Sequence, residues 1–144
     1  MKYTLEILID RSRDQVIELF DNPDNMKHWQ EGFVSMTHMS GTAGEIGAKS
    51  KLFYKMGKRE VEMVETITKR DMPREFTATY ETPTVWNEVS NHFEKVGGRQ
   101  TKWISHVDFK FRGFMKLMAF FLPGAFKKQS FKFMQDFKTF AEAQ

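Results

Sequence analysis

The chain has 144 residues, a formal charge of +3, ten methionines, 15 phenylalanines and no cysteine. One domain of that length buries roughly 70% of the surface its unfolded chain exposes, so the core needs no covalent staple. Lack of cysteine excludes a disulfide framework, an iron–sulfur cluster, a thiolate zinc site and a cysteine nucleophile, and a cytoplasmic location is expected.

Residues 2–10 alternate, with Tyr3, Leu5, Ile7 and Ile9 on one side and Lys2, Thr4, Glu6 and Asp10 on the other, which predicts a half-buried strand. The same alternation distinguishes this N-terminus from the continuous apolar run of a signal peptide. Ser12 stands at an N-cap position before a short helix whose apolar side is Val16, Ile17, Leu19 and Phe20. Asp21-Asn22-Pro23-Asp24 ends that helix and starts another short turn carrying Met26 and Trp29.

Strands are then predicted over 33–38, 48–56, 59–70, 75–81, 85–96 and 100–109, separated by Ser40-Gly41, Gly57-Lys58, Asp71-Met72-Pro73, Thr82-Pro83 and Gly97-Gly98. Every connection is too short for a parallel crossover, so the strands form an antiparallel meander. For the last hairpin, a two-residue turn would put Trp103 on the opposite face from Val89 and Phe93. A three-residue loop, Gly97-Gly98-Arg99, instead pairs Phe93 with Trp103, Asn91 with Ser105, Val89 with Val107 and Asn87 with Phe109. The second register is preferred because it leaves Trp86, Glu88, His92, Lys102, His106 and Asp108 on an outer face that is polar apart from Trp86 and Ile104.

The pattern then turns helical. The stretch 113–122 is the most apolar of the chain but carries Lys116 and is far short of the about 20 residues a spanning helix needs. Pro123-Gly124 closes it, and a long helix is predicted over 125–142, with Phe126, Ser130, Phe133, Phe137, Phe140 and Ala141 in one stripe. Phe131 falls off the stripe and is expected against the 114–122 segment. Residues 110–144 hold seven basic and two acidic side chains, so this end carries the positive charge.

The segments Ser12 to Asp21 and Asn22 to Trp29, with Gly44-Glu45-Ile46-Gly47-Ala48-Lys49 before the third strand and Gly97-Gly98-Arg99-Gln100-Thr101 before the last, resemble the START-like or SRPBCC superfamily. That superfamily includes polyketide cyclase/dehydrase-like and lipid-transport-like proteins. The resemblance spans the whole chain as a single domain, 1–144, and departs at Arg13, where many members have proline. It implies an α+β helix-grip fold: a curved seven-stranded antiparallel sheet around a long C-terminal helix, with two short helices after the first strand. It also implies an apolar cavity between sheet and helix for a lipid, polyketide or similar small hydrophobic ligand.

Residue parity supplies candidate walls for such a cavity: Tyr54, Phe76, Tyr80, Val89, Phe93, Trp103 and Val107 from strands, Phe133 and Phe137 from the helix. Glu65, Asn87, Asn91 and Ser105 are the inward polar candidates, joined by the hydroxyls of Tyr54 and Tyr80. Glu65 shares parity with Val61, Met63 and Ile67; an inward carboxyl has a raised pKa and can serve as an acid or base. Glu65 and Tyr80 are therefore the candidate catalytic groups if the protein is an enzyme, against a bland reading of Glu65 as a strand-end residue reaching water. Asn91 satisfied by Ser105 explains that pair without a ligand.

No metal or cofactor is expected. The histidines, at 28, 38, 92 and 106, lack ligand spacing, and the glycines do not form a phosphate-cradling loop leading into a helix. A Ser-His-Asp arrangement cannot be argued from spacing. The basic end is read first as core and lid with a solvated lysine face. Contact of 114–122, Lys116, Lys127 and Lys128 with an anionic membrane ranks second, and nucleic acid last, because the aromatics follow the core period. The leading expectation is binding of a small hydrophobic ligand, with a cyclase/dehydrase-like enzyme as alternative and lipid transfer at a membrane as second alternative.

Overall fold

The computed structural model describes residues 1–144. The first strand, β1 (Lys2–Ile9), leads into α1 (Arg13–Phe20), a 3-10 turn (Pro23–Asn25) and α2 (Met26–Trp29). Six strands follow, β2 (Phe33–Ser40), β3 (Lys49–Met56), β4 (Arg59–Asp71), β5 (Glu75–Glu81), β6 (Val85–Val96) and β7 (Gln100–Phe111), and then α3 (Phe114–Phe121) and α4 (Pro123–Glu142). All strands pair antiparallel in one sheet of order β1-β7-β6-β5-β4-β3-β2. The two short helices thus carry the chain from one edge of the sheet to the other, and the meander brings it back beside β1.

Ser12 caps α1 reciprocally: its hydroxyl accepts from the Gln15 amide at 3.3 Å and its own amide donates to Gln15 Oε1 at 3.2 Å. The β6–β7 hairpin has the three-residue loop, with Phe93 opposite Trp103 and Asn91 opposite Ser105. Gly97 in that loop has φ +62°, a conformation that glycine adopts without steric cost. Gly32 is constrained in a second way, because at φ +85° an added Cβ would also lie 2.8 Å from the Lys55 carbonyl oxygen.

The register of β2 against β3 shifts between Phe33 and Ser35 and between His38 and Ser40, and two further features depart from the expected pattern. In β4 the register shifts between Ile67 and Lys69, so Thr68 is an extra residue that reverses the parity beyond it. Arg70 consequently faces the side of Phe76, its cross-strand partner, and reaches Asp21 at the end of α1 with two bonds of 2.9 and 2.6 Å. Bulges of this kind bend a strand and increase its twist, as needed for a sheet that wraps a helix. The second departure is the start of α4, which lies at Pro123 and not at 125. Proline is well suited to the first helical position, where its missing N–H has no intrahelical partner to lose.

α4 lies on the inner face, packed along β1 and α2. Met134, Phe137 and Ala141 are its buried residues, joined in one cluster by Leu5, Ile9, Val16, Trp29, Phe93 and Trp103. Phe131 packs on this main cluster, since α4 is flanked on two sides and its contact arc is wider than one stripe. The C-terminal turn is pinned to the first strand: Lys138 donates to the Leu8 carbonyl at 2.6 Å, and Glu142 accepts from the Asp10 amide at 2.7 Å. The Lys138 ammonium, together with that amide, holds the Glu142 carboxyl below its ordinary pKa. No helix is long and apolar enough to cross a membrane.

Candidate functional site

Between the inner face of the sheet and the first half of α4 lies a cavity of about 300 Å³, lined by 22 residues of which 15 are hydrophobic. β5, β6 and β7 contribute Tyr80, Asn87, Val89, Asn91, Trp103, Ser105, Val107 and Phe109; Tyr54, Met56, Val61 and Met63 come from β3 and β4. α4 closes the cavity with Phe126, Gln129, Ser130, Phe133 and Met134, while Phe20, Trp29 and Gln30 form its boundary towards α1 and α2. Tyr3 ties the helix to the sheet beside it, its hydroxyl 2.7 Å from Ser130 Oγ and 3.1 Å from the Phe126 carbonyl oxygen.

Buried polar groups are normally hydrogen-bonded, so the exceptions are informative. Four buried side-chain nitrogen or oxygen atoms in the molecule have no partner, and three belong to cavity residues: Trp29 Nε1, Asn87 Oδ1 and Gln129 Nε2. An indole N–H and an amide N–H can donate, and the Asn87 oxygen can accept. These atoms have almost no accessible surface, so they lie behind the cavity wall; the wall itself is largely apolar with a few polar residues, which is the usual make-up of a small-molecule site.

A second cavity of about 490 Å³ adjoins the first through shared Phe20, Trp29, Gln30 and Tyr80, and reaches Ser50, Glu65, Ile67, Arg70 and Phe76. Glu65 is buried, with Ser50 and Tyr80 opposite it on the neighbouring strands. Burial pushes its carboxyl pKa above the ordinary value, although the Tyr80 hydroxyl stabilises the ionised form. Burial and then the Glu65 charge raise both tyrosines, and Tyr80 is held well above its ordinary value. The Tyr54 hydroxyl donates to Gln30 Oε1 at 2.5 Å, which orients the glutamine at the junction of the two cavities.

The sequence-derived candidates divide into three groups. Tyr54, Tyr80, Asn87, Val89, Asn91, Trp103, Ser105, Val107 and Phe133 line the first cavity. Glu65 and Phe76 line the second, Glu65 without reaching the first. Phe93 and Phe137 border neither; they are 1% and 0% exposed, packed in the solid cluster with Trp103 at ring separations of 5.9 and 5.3 Å. Their parity is inward, but Phe20 fills the space in front of them, 5.0 Å from Phe93 and 6.1 Å from Phe137. Asn91 is satisfied by Trp103, whose Nε1 donates to its Oδ1 at 2.9 Å, and not by Ser105.

Gln30 and Gln129 escaped the sequence reading because each sits beside an apolar anchor in a helical segment where periodicity assigns no role to a lone amide. Val61 and Met63 were within reach of the parity that selected Glu65. On the outer face, cross-strand pairing also assembles groups that linear spacing keeps apart. Ser90 Oγ lies 3.0 Å from His92 Nε2, and His92 Nδ1 lies 3.5 Å from Glu75 Oε1. Thr77 donates to Ser90 Oγ at 2.9 Å. The order serine, histidine, carboxylate is that of a nucleophilic triad. But β6 is paired on both sides, so its amides are engaged in the sheet and do not serve the serine as oxyanion donors.

Residues 1–142 match the family described as polyketide cyclase / dehydrase and lipid transport. The chain belongs to this family. Solved structures share its fold across nearly the full length. A conserved protein from Geobacillus kaustophilus superposes with a TM-score of 0.81 at 14% identity, covering 98% of this chain and 95% of that one. An aromatase/cyclase, Zhui, from Streptomyces sp. R1128 gives 0.81 at 12% identity, with 99% and 93% covered. The di-domain ARO/CYC protein BexL gives 0.78 at 15% identity over 96% of this chain and 45% of its own. No curated protein matches the sequence. At these identities the structural likeness establishes the helix-grip fold.

Proposed function

We propose that the protein binds a small hydrophobic ligand, of the polyketide or lipid class, in the cavity between the sheet and α4. The observation that carries this reading is the cavity itself: about 300 Å³ between sheet and helix, with 15 of its 22 lining residues hydrophobic and Asn87, Asn91, Ser105, Gln129 and Ser130 among the few polar ones. A ligand with an apolar body and one or two hydroxyl or carbonyl groups suits a lining of that make-up. The family description and the aromatase/cyclase neighbours support the same ligand class.

The test is a melting-temperature screen with fatty acids and polycyclic phenols. A ligand at 100 times its Kd stabilises the folded state by about 2.7 kcal/mol, so a binder raises Tm by several degrees. Asn87→Leu and Gln129→Leu, which replace polar lining side chains without opening space, reduce that shift for hydroxylated ligands. A screen in which no compound shifts Tm overturns the proposal.

A cyclase/dehydrase-like activity is the second reading, favoured by one specific observation: the buried Glu65 carboxyl with a raised pKa, beside Tyr80 and near the junction of the cavities. Such a carboxyl can remove a proton α to a carbonyl, and the Asn87 amide can present its N–H to the developing enolate oxygen. Glu65→Gln should then abolish turnover of a cyclisable poly-β-ketone while leaving its binding intact. Unchanged turnover would remove Glu65 from that role.

A further inference from the structure

The exposed side of α3 is apolar where a solvated helix would be polar. Phe114, Leu117, Phe120, Phe121 and Leu122 are 69, 52, 78, 67 and 53% exposed. At about 100° per residue, Phe114, Leu117, Phe120 and Phe121 fall within one arc of roughly 120°, and the half-buried Met115 and Met118 with buried Ala119 occupy the opposite side. Soluble monomers seldom expose a contiguous apolar patch of this kind without a use for it. Phe120 and Phe121 pack edge to face with each other, 5.4 Å apart, pointing away from the core clusters.

Along the chain, the charge flanking the patch has a single sign. Between Asp108 and Asp136 the sequence has six basic residues and no acidic one. Arg112, Lys116, Lys127 and Lys128 are exposed, and none of them forms a salt bridge. A second copy docked through the same face would set these cations against one another. An anionic bilayer satisfies both features, accepting the aromatic side chains among its acyl chains and the cations at its headgroups.

We propose that α3 and its basic flanks dock the protein on an anionic lipid surface, with α3 lying in the plane of the interface. At about 12 Å long, α3 is far too short to cross a bilayer. Its neighbours connect this surface to the cavity. Phe109 and Phe126 line the cavity, their rings are 5.2 Å apart, and Phe111 stacks on Phe109 at 5.3 Å and lies tilted against Phe126 at 4.8 Å. α3 is the segment that joins β7 to α4, so docking brings this aromatic wall to the membrane surface. The docking inference stands on α3 and its basic flanks and does not depend on which ligand the cavity takes.

The experiment is vesicle co-sedimentation with phosphatidylcholine alone and with phosphatidylcholine containing about 30 mol% phosphatidylserine. Binding to the anionic vesicles should exceed binding to the neutral ones by about ten-fold or more and fall as salt rises. Lys127→Glu/Lys128→Glu and, separately, Phe120→Ser/Phe121→Ser should each weaken it by about ten-fold or more, with Tm held near the wild-type value because these side chains are exposed. Because the chain has no cysteine, Leu117→Cys can carry a single environment-sensitive fluorophore. Its emission should shift to the blue on anionic vesicles, while the same dye at Arg99→Cys, in the loop at the opposite end of the β6–β7 hairpin, should not respond. Equal binding to both vesicle types, binding indifferent to both variant pairs, or a response at Arg99→Cys equal to that at Leu117→Cys overturns the proposal. So does a wild-type dimer that Phe120→Ser/Phe121→Ser converts to monomer, accompanied by no vesicle binding.

Discussion

The space between the sheet and α4 has two unlike halves. Towards the C-terminal end of α4, Phe20, Trp29, Phe93, Trp103 and Phe137 interlock at ring separations of 5.0 to 6.1 Å, and Phe93 and Phe137 are essentially inaccessible. Towards its N-terminal end, Val89, Val107, Phe109, Phe126 and Phe133 face one another across a cavity of about 300 Å³. Both halves are built from the same alternating strands and the same helical stripe. They differ in what α1 and α2 insert between sheet and helix: Phe20 and Trp29 fill one half and leave the other open. Stability is thereby concentrated in the half that cannot accept a ligand, which frees the other to be chosen for shape and hydrogen bonding.

The contrast can be broken most severely from the packed side. Phe137→Ala or Phe93→Ala should lower unfolding stability by about 3–5 kcal/mol in urea denaturation, because the rigid neighbours cannot close the space left behind. A loss under about 1 kcal/mol would show that this half is not tightly packed. The buried carboxyl comes next. With its folded-state pKa raised, Glu65 is most compatible with the fold when protonated, below its unfolded pKa of about 4.5. Its contribution is lost as pH rises from there through the folded-state value, each pH unit between the two being worth about 1.4 kcal/mol. Glu65→Gln should flatten stability across that window and raise it relative to wild type above it. An unchanged pH profile would contradict the burial argument.

The effects should be smaller on the open side. Val89→Phe adds bulk where there is room for it, so its stability should stay within about 1 kcal/mol of wild type, against the 1–3 kcal/mol that overpacking costs a filled core. Ligand-induced Tm shifts should disappear in this variant. At the exposed rim, Arg74→Ala removes a solvated pair with Asp71 at 3.2 Å and should change stability by about 0.5 kcal/mol or less.

Much of the fold was legible because it depends on short-range rules. Alternation marked the strands, Ser12 marked the α1 cap, and the three-residue Gly97-Gly98-Arg99 loop set the β6–β7 register. Those rules failed where a single residue changed the count or the partner. Thr68 reverses parity within β4, and Pro123 begins a helix where it reads as a terminator. The site was less accessible for a physical reason. Period-2 and period-3.6 patterns report which residues point inward, but not whether another side chain fills the space in front of them. Phe93 and Val89 are indistinguishable by parity, yet Phe20 packs against one and a cavity faces the other. The unpaired atoms of Trp29, Asn87 and Gln129 likewise become visible only when three helices and the sheet are brought together.

Isothermal titration calorimetry with 1-naphthol, an apolar bicyclic ring carrying one hydroxyl, tests the central claim most directly when wild type and Val89→Phe are compared over a range of temperatures. The expected result is one site per wild-type chain, a negative heat-capacity change from apolar burial, and no binding to Val89→Phe although that variant remains folded. Equal binding to both proteins, or no heat from wild type at any temperature, would contradict it.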